Sequence, residues 1–161
     1  GTPSTGICRM TSVLFVCLGN ICRSPLAEGI LRHRLVGAGL ERRVLVDSAG
    51  TGNWHAGKAP DPRSVEIAAR NGIDLSDLRA RQVGAADFER FDLILAMDRD
   101  NLATLERLGS RSGLARRGDV RRFLQRDVPD PYYGGPEGFQ TVFDMLDEGC
   151  DRLLRDLTQG V

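Results

Sequence analysis

The sequence predicts a single α/β domain. Apolar runs of strand length at residues 13–16, 44–46 and 91–97 alternate with helical patterns, and the spacing from first strand through helix to second strand suits a right-handed parallel crossover. At 161 residues, with no internal repeat, linker or domain break, the chain fits one domain around one buried core.

The first strand, 13–16, is apolar without a break, as expected of a strand covered on both faces. Ser24 suits the N-cap of the helix behind it and Pro25 its first position, where a missing N–H costs nothing. Along this helix Leu26 and Ile30 form one row and Ala27, Leu31 and Leu35 another, flanked by Arg32 and Arg34 and ended by Gly37 and Gly39. Residues 44–46 make a second short strand. A glycine-rich loop from Asp47 to His55 follows and carries Trp54, the one tryptophan of the chain. Asp61 and Pro62 open a helix with Val65, Ile67, Ala68 and Ala69 as its apolar content and Asn71-Gly72 as its stop. Residues 79–83 read as a short extended segment and 91–97 as the third strand. Asp98 to Asn101 should cap and start a helix through Leu102, Leu105 and Leu108, closed at Gly109. A mobile polar loop at 111–118 and an edge-type strand at 120–124 come next. After a stretch from Asp130 to Pro136, the residues Phe139, Phe143, Leu146, Cys150, Leu153 and Leu157 mark an amphipathic C-terminal helix, with Cys150 on its buried stripe.

Twenty-two basic residues balance 22 acidic ones, which gives no reason to invoke nucleic acid or an anionic membrane as a partner. All the basic residues but Lys58 are arginines, a compositional bias rather than a functional surface. No stretch reaches transmembrane length and the first ten residues lack the apolar core of a signal peptide. Residues 1–11 therefore read as a flexible leader, with Met10 a possible start and Cys8 incidental, and 12–161 as the domain. Four cysteines without framework spacing fit a reducing compartment. The cytoplasm is the expected location, with export lacking a signal left open, and a monomer the expected state.

The chemistry concentrates between Val13 and Pro25. A helix start presents unpaired N–H groups and partial positive charge to whatever lies in front of it. Gly19 and Asn20 take positive φ most easily, so the loop between strand and helix can curl into a nest of N–H groups. Cys17 lies at the bottom of that nest, and Arg23 can reach round it as a planar, always-charged fork. A thiol held there should lose its proton readily. Nucleophile and oxyanion cradle thus share one short loop.

The string Cys17-Leu-Gly-Asn-Ile-Cys22-Arg23-Ser24-Pro25 resembles the phosphate-binding signature of the low-molecular-weight protein tyrosine phosphatases, and the later Asp130-Pro131-Tyr132-Tyr133 matches the loop that carries their general acid. The resemblance spans nearly the whole chain after the leader. It implies a three-layer α/β/α fold with a four-stranded parallel sheet, and a phosphate-binding loop between the first strand and first helix. It also implies hydrolysis of phosphotyrosine on proteins without a cofactor. Cys17 would attack phosphorus to form a cysteinyl-phosphate, and Arg23 with the N–H groups of Leu18, Gly19, Asn20, Ile21 and Cys22 would hold the oxygens. Ser24 would turn its hydroxyl toward the sulfur. Asp130 would serve as acid and then base. Asn20 is better suited to bracing the loop than to touching substrate. Trp54, Tyr132 and Tyr133 would form an aromatic slot deep enough to favour phosphotyrosine over phosphoserine. Matching family members form a reversible disulfide between the residues at Cys17 and Cys22; for Cys22 a packing role stands beside this redox-protective one. The context of Trp54 is most similar to actinobacterial members.

Related bacterial arginine phosphatases carry threonine at the position of Ile21, where it can hydrogen-bond a guanidinium; isoleucine cannot. Arsenate reductases share the Cys-x5-Arg loop but need further redox cysteines near the third strand, and residues 70–110 contain none. A non-catalytic phosphotyrosine-binding module has no need of Cys17, Arg23 and Asp130 together. No metal site is expected, because Cys17 and Cys22 lack further ligands and His33 and His55 lack a second one. His55 reads as a solvated loop residue or hydrogen-bond donor and His33 as an exposed helix residue, while Arg63 and Arg81 should make structural or surface pairs.

Overall fold

The computed structural model describes residues 10–111 and 119–159. Four strands, β1 (Thr11–Cys17), β2 (Val44–Gly50), β3 (Leu93–Ala96) and β4 (Asp119–Arg122), form one sheet in the order β2-β1-β3-β4. All three pairings are parallel. Five helices connect and close them: α1 (Arg23–Gly37), α2 (Pro62–Arg70), α3 (Asp87–Arg90), α4 (Arg99–Arg111) and α5 (Pro136–Gln159).

The alternation of side chains along β1 sorts the core into two layers. Val13 and Phe15 pack with Leu26, Leu31, Ile67, Val142 and Leu146 of α1, α2 and α5. Leu14 and Val16 face the other way, onto Phe88 of α3 and Leu105 of α4. Helices thus cover both faces, which is why β1 is apolar from Val13 onward and buried from its second residue. No helix among the described residues is long and apolar enough to cross a membrane.

Several boundaries move. Thr11, expected in the leader, opens β1 opposite Val44; residues 1–9, with Cys8, lie outside the described residues. β2 runs to Gly50 rather than stopping at Val46, because polar Asp47 and Ser48 are paired with Leu14 and Phe15 of β1 and the polar pattern hid the strand. β3 and β4 are shorter than expected, although Phe91 and Met97 are buried beside β3. The extended segment near 82 makes a single bridge to Gly50. Asp61 caps α2 by accepting the Arg63 N–H, and Gly72 takes a left-handed φ of 77° past its end, as the sequence predicts. Helix α4 continues beyond Gly109 to Arg111; the polar loop behind it falls on residues 112–118, outside those described.

Ser24 is not the N-cap of α1. The helix starts at Arg23 with Cys22 as its capping residue, no side chain caps it, and Pro25 is its third residue. The Ser24 hydroxyl is engaged elsewhere, as the site makes plain. In the order β2-β1-β3-β4 the chain reverses direction of travel across the sheet beside β1, and loops leaving the strand C-termini gather at that crevice.

Candidate active site

The loop leaving β1 turns tightly around the Cys17 sulfur. Asn20 donates its N–H to Sγ at 3.3 Å, and Ser24 Oγ lies 3.0 Å from Sγ. Asn20 is the one non-glycine residue with positive φ (58°) among those described; Gly19 does not share that conformation. The Asn20 side chain holds the turn from behind, donating Nδ2–H to Ser24 Oγ at 2.7 Å and Ser48 Oγ at 2.9 Å and accepting the Arg81 N–H at 3.0 Å. It is buried and absent from the cleft lining, so among the loop residues expected to bind substrate it is the one that braces instead. Because Ser24 Oγ accepts from Asn20, its own hydrogen is free to point at the sulfur, the nearer of its two remaining partners, with Ala49 C=O at 3.4 Å.

The bracing continues inward. Ser48 donates to Glu28 Oε1 at 2.6 Å, and Arg32 pairs with Glu28 at 2.5 Å. Burial pushes the Glu28 carboxyl above its ordinary range against the opposing pull of Ser48 and Arg32. Arg81, whose side chain pairs with Asp47 and Asp87, is structural as expected.

Arg23 is buried at the first turn of α1. Its Nη1 donates to Asp98 Oδ2 at 2.7 Å and to Val128 C=O at 2.8 Å, and Nη2 lies 3.8 Å from Asp130 Oδ2. Burial alone would weaken its hold on the proton, but Cys17, Asp98 and Asp130 outweigh that and raise its pKa. Asp98 works twice: Oδ1 accepts the Asn101 N–H at 2.8 Å, capping α4, while Oδ2 orients Arg23. The sequence shows the cap and hides the second role, because Arg23 is 75 residues away. Asp130, in the loop after β4, is part-exposed, with Oδ1 accepting the Tyr132 N–H at 3.1 Å.

Trp54, His55, Tyr132 and Tyr133 form the rim of a cleft of about 90 Å³ lined below by Cys17, Leu18, Gly19, Ile21, Cys22 and Arg23. Tyr133 is 95% exposed and offers only an edge to Tyr132, the two rings being 4.9 Å apart and nearly perpendicular. His55, in a loop as expected but half-buried, stands beside Trp54 and Tyr132 with both ring centroids at 6.3 Å, a place in the rim that the sequence does not show. A Cβ on Gly19 would stand 2.9 Å from His55 Cδ2, so the glycine makes room for this ring. The signal in the sequence was its adjacency to Trp54.

Cys22 is a free, buried thiol pushed up to about 12, chiefly by burial and further by Asp61, Cys17 and Asp130. It is protonated at neutral pH and packs in the wall of the cleft. Cys150 is buried on α5 as expected, its thiol also pushed up by burial.

Strand β2 presses directly on the loop. A Cβ on Gly50 would stand 2.8 Å from Leu18 O and 3.1 Å from Asn20 N, both backbone atoms. Gly50→Ala should therefore displace the loop, weakening phosphate binding about tenfold or more at a stability cost of about 1–3 kcal/mol. Titration calorimetry with inorganic phosphate, alongside a thermal melt, checks this; unchanged affinity in a folded variant would show that the loop tolerates the contact.

Thiol, guanidinium and loop N–H groups around one hollow suit a tetrahedral oxyanion, with a carboxyl at the rim able to exchange a proton. Residues 12–161 match the model of the family described as low molecular weight phosphotyrosine protein phosphatase. The low molecular weight protein-tyrosine-phosphatase YfkJ of Bacillus subtilis is 43% identical over 155 residues, covering 92% of this chain and 96% of that protein. Its crystal structure superposes with a TM-score of 0.85 at 40% identity, covering 94% and 96% of the two chains. A low molecular weight protein-tyrosine-phosphatase of the actinobacterium Streptomyces coelicolor is 42% identical over 156 residues, covering 92% and 94%. The crystal structure of DARP, a Drosophila arginine phosphatase, has a TM-score of 0.85 at 34% identity and covers 90% and 96%. A family match of this extent, relatives of this identity over nine-tenths of the chain, and a sheet whose loops converge on Cys17 together mean that the chain belongs to the low molecular weight phosphotyrosine protein phosphatase family and is a phosphatase.

Proposed function

We propose that the protein hydrolyses phosphotyrosine on proteins by two displacements at one phosphorus. Cys17, as thiolate, attacks in line; the bond from phosphorus to the phenolic oxygen breaks, and Asp130 gives that oxygen its proton, leaving a cysteinyl-phosphate. Asp130, now a carboxylate, takes a proton from water as the water oxygen attacks phosphorus, and the sulfur departs as thiolate with Ser24 Oγ beside it at 3.0 Å. Arg23 and the loop N–H groups hold the equatorial oxygens throughout. One observation supports the scheme above the others: Arg23 Nη2 lies 3.8 Å from Asp130 Oδ2 while its own loop encloses Cys17, so nucleophile, clamp and proton donor meet at one point.

The aromatic rim supports a phenyl ring as the group carrying the phosphate. A guanidinium substrate, as in the arginine phosphatase among the relatives, would need an acceptor in the wall where Ile21 presents hydrocarbon. Acid quench of the enzyme during turnover of a radiolabelled phosphotyrosine peptide should leave phosphate on the fragment holding Cys17. Turnover with no label on that fragment would remove the covalent step.

A further inference from the structure

We propose that Arg63 is a positioning residue for Asp130, fixing the loop that carries the proton donor; the inference rests on the reading of Asp130 as that donor. Arg63 Nη2 donates to Tyr132 C=O at 2.9 Å. Tyr132 in turn donates its N–H to Asp130 Oδ1 at 3.1 Å. The backbone of Tyr132 thus links a guanidinium on one side to the carboxyl on the other. Among the described residues this hydrogen bond and the 3.8 Å ion pair of Arg23 with Asp130 tie the segment from Pro129 to Gly134 to other elements, since the bonds of the Tyr132 and Gly134 N–H groups stay within it.

The same guanidinium is anchored to the oxyanion loop through Asp61. Its Nε and Nη2 hold Asp61 Oδ1 and Oδ2 at 3.0 and 2.9 Å, and the buried Asp61 donates its own N–H to Ile21 C=O at 2.8 Å. The guanidinium carbon lies 4.5 Å from the Phe139 ring centre at the start of α5 and 5.6 Å from that of Tyr132. Ile21, Asp61, Arg63 and Tyr132 therefore form one connected path from the wall holding the phosphate to the loop holding the acid. Arg63 itself is 41% exposed while its partner Asp61 is buried, so the fork is held by a fixed carboxylate and can in turn hold the Tyr132 carbonyl. What the arrangement supplies is geometry, the distance between a proton and the oxygen that must receive it.

The measurement is kcat/KM for phenyl phosphate, whose leaving group is basic, and for p-nitrophenyl phosphate, whose leaving group is acidic, with inhibition by inorganic phosphate as control. Arg63→Ala should lower kcat/KM about tenfold or more for phenyl phosphate and less than about threefold for p-nitrophenyl phosphate, leaving phosphate inhibition within about twofold. In an Asp130→Asn background the same substitution should change neither substrate, because no donor remains to be placed. Arg63→Lys keeps the charge but loses the planar fork, and with it the Nε bond to Asp61 Oδ1, and should show a smaller loss with the same substrate dependence. If Arg63→Ala does not fold, Arg63→Lys carries the comparison. An equal loss on both substrates, no loss on either, or an undiminished loss in the Asp130→Asn background overturns the role of Arg63. If Asp130→Asn itself shows no dependence on the leaving group, the donor reading falls and this inference with it; if Asp130→Asn shows that dependence and the Arg63 variants do not, only Arg63 is wrong.

Discussion

Cys17→Ser is expected to reduce aryl phosphate hydrolysis by more than about a thousandfold while leaving phosphate binding largely in place. A hydroxyl at this position is neutral at working pH, and the groups around it can donate: the Asn20 N–H at 3.3 Å from Sγ, and Ser24, whose oxygen accepts from Asn20 and whose hydrogen is left free to point at residue 17. They stabilise an anion but contain no base to create one. Arg23 keeps its bonds to Asp98 and Val128 whatever occupies position 17, so the oxyanion hollow survives. Steady-state hydrolysis of p-nitrophenyl phosphate measures the first effect and phosphate titration the second. A variant that turns over at a rate comparable to the parent enzyme would sink the nucleophile assignment.

Asp130→Asn should cost about 10²- to 10⁴-fold on phenyl phosphate, the range general acid–base catalysis ordinarily contributes. The loss should shrink as the leaving group becomes more acidic, since a stable phenolate needs no proton. The asparagine amide preserves an oxygen for the Tyr132 N–H that Asp130 Oδ1 now accepts at 3.1 Å, so the loop keeps its shape and the missing element is the transferable proton. A series of substituted phenyl phosphates gives the dependence directly. Equal losses across the series would mean that Asp130 does not donate to the leaving oxygen.

Both substitutions fall on residues legible in the sequence, and for one reason. Cys17, Asn20 and Arg23 act through a contiguous loop whose shape follows from local backbone preferences and a helix start, and Asp130 sits in a motif of its own. What escaped notice is distributed across the fold. Asp98 reads as a helix cap because its partner Arg23 arrives from the opposite side of the sheet. His55 reads as solvated because the Tyr132 that shelters it lies in another loop. For Ser24 the sequence supports two readings, a helix cap and a hydroxyl turned toward the sulfur; the second holds at 3.0 Å, and what stays hidden is the bond it accepts from Asn20. The end of β2 is hidden for a different reason: Asp47 and Ser48 are polar, yet they stand opposite Leu14 and Phe15 of β1 and Ser48 is buried on Glu28 and Asn20. Periodicity detects strands by their apolar side chains, and these two residues serve the site instead.

That buried path from Glu28 through Ser48, Asn20 and Ser24 to Cys17 has a consequence for motion. Opening the oxyanion loop alone would strip several buried polar groups of their partners, each at about 1–3 kcal/mol. The loop is therefore bound into the same cooperative unit as the central strands and opens with them rather than fluctuating as an independent segment. Its conformational entropy, roughly 1–2 kcal/mol per residue, is settled when the chain folds. An arriving phosphate meets a hollow that already has its shape, and its binding free energy is not spent on ordering the residues that hold it.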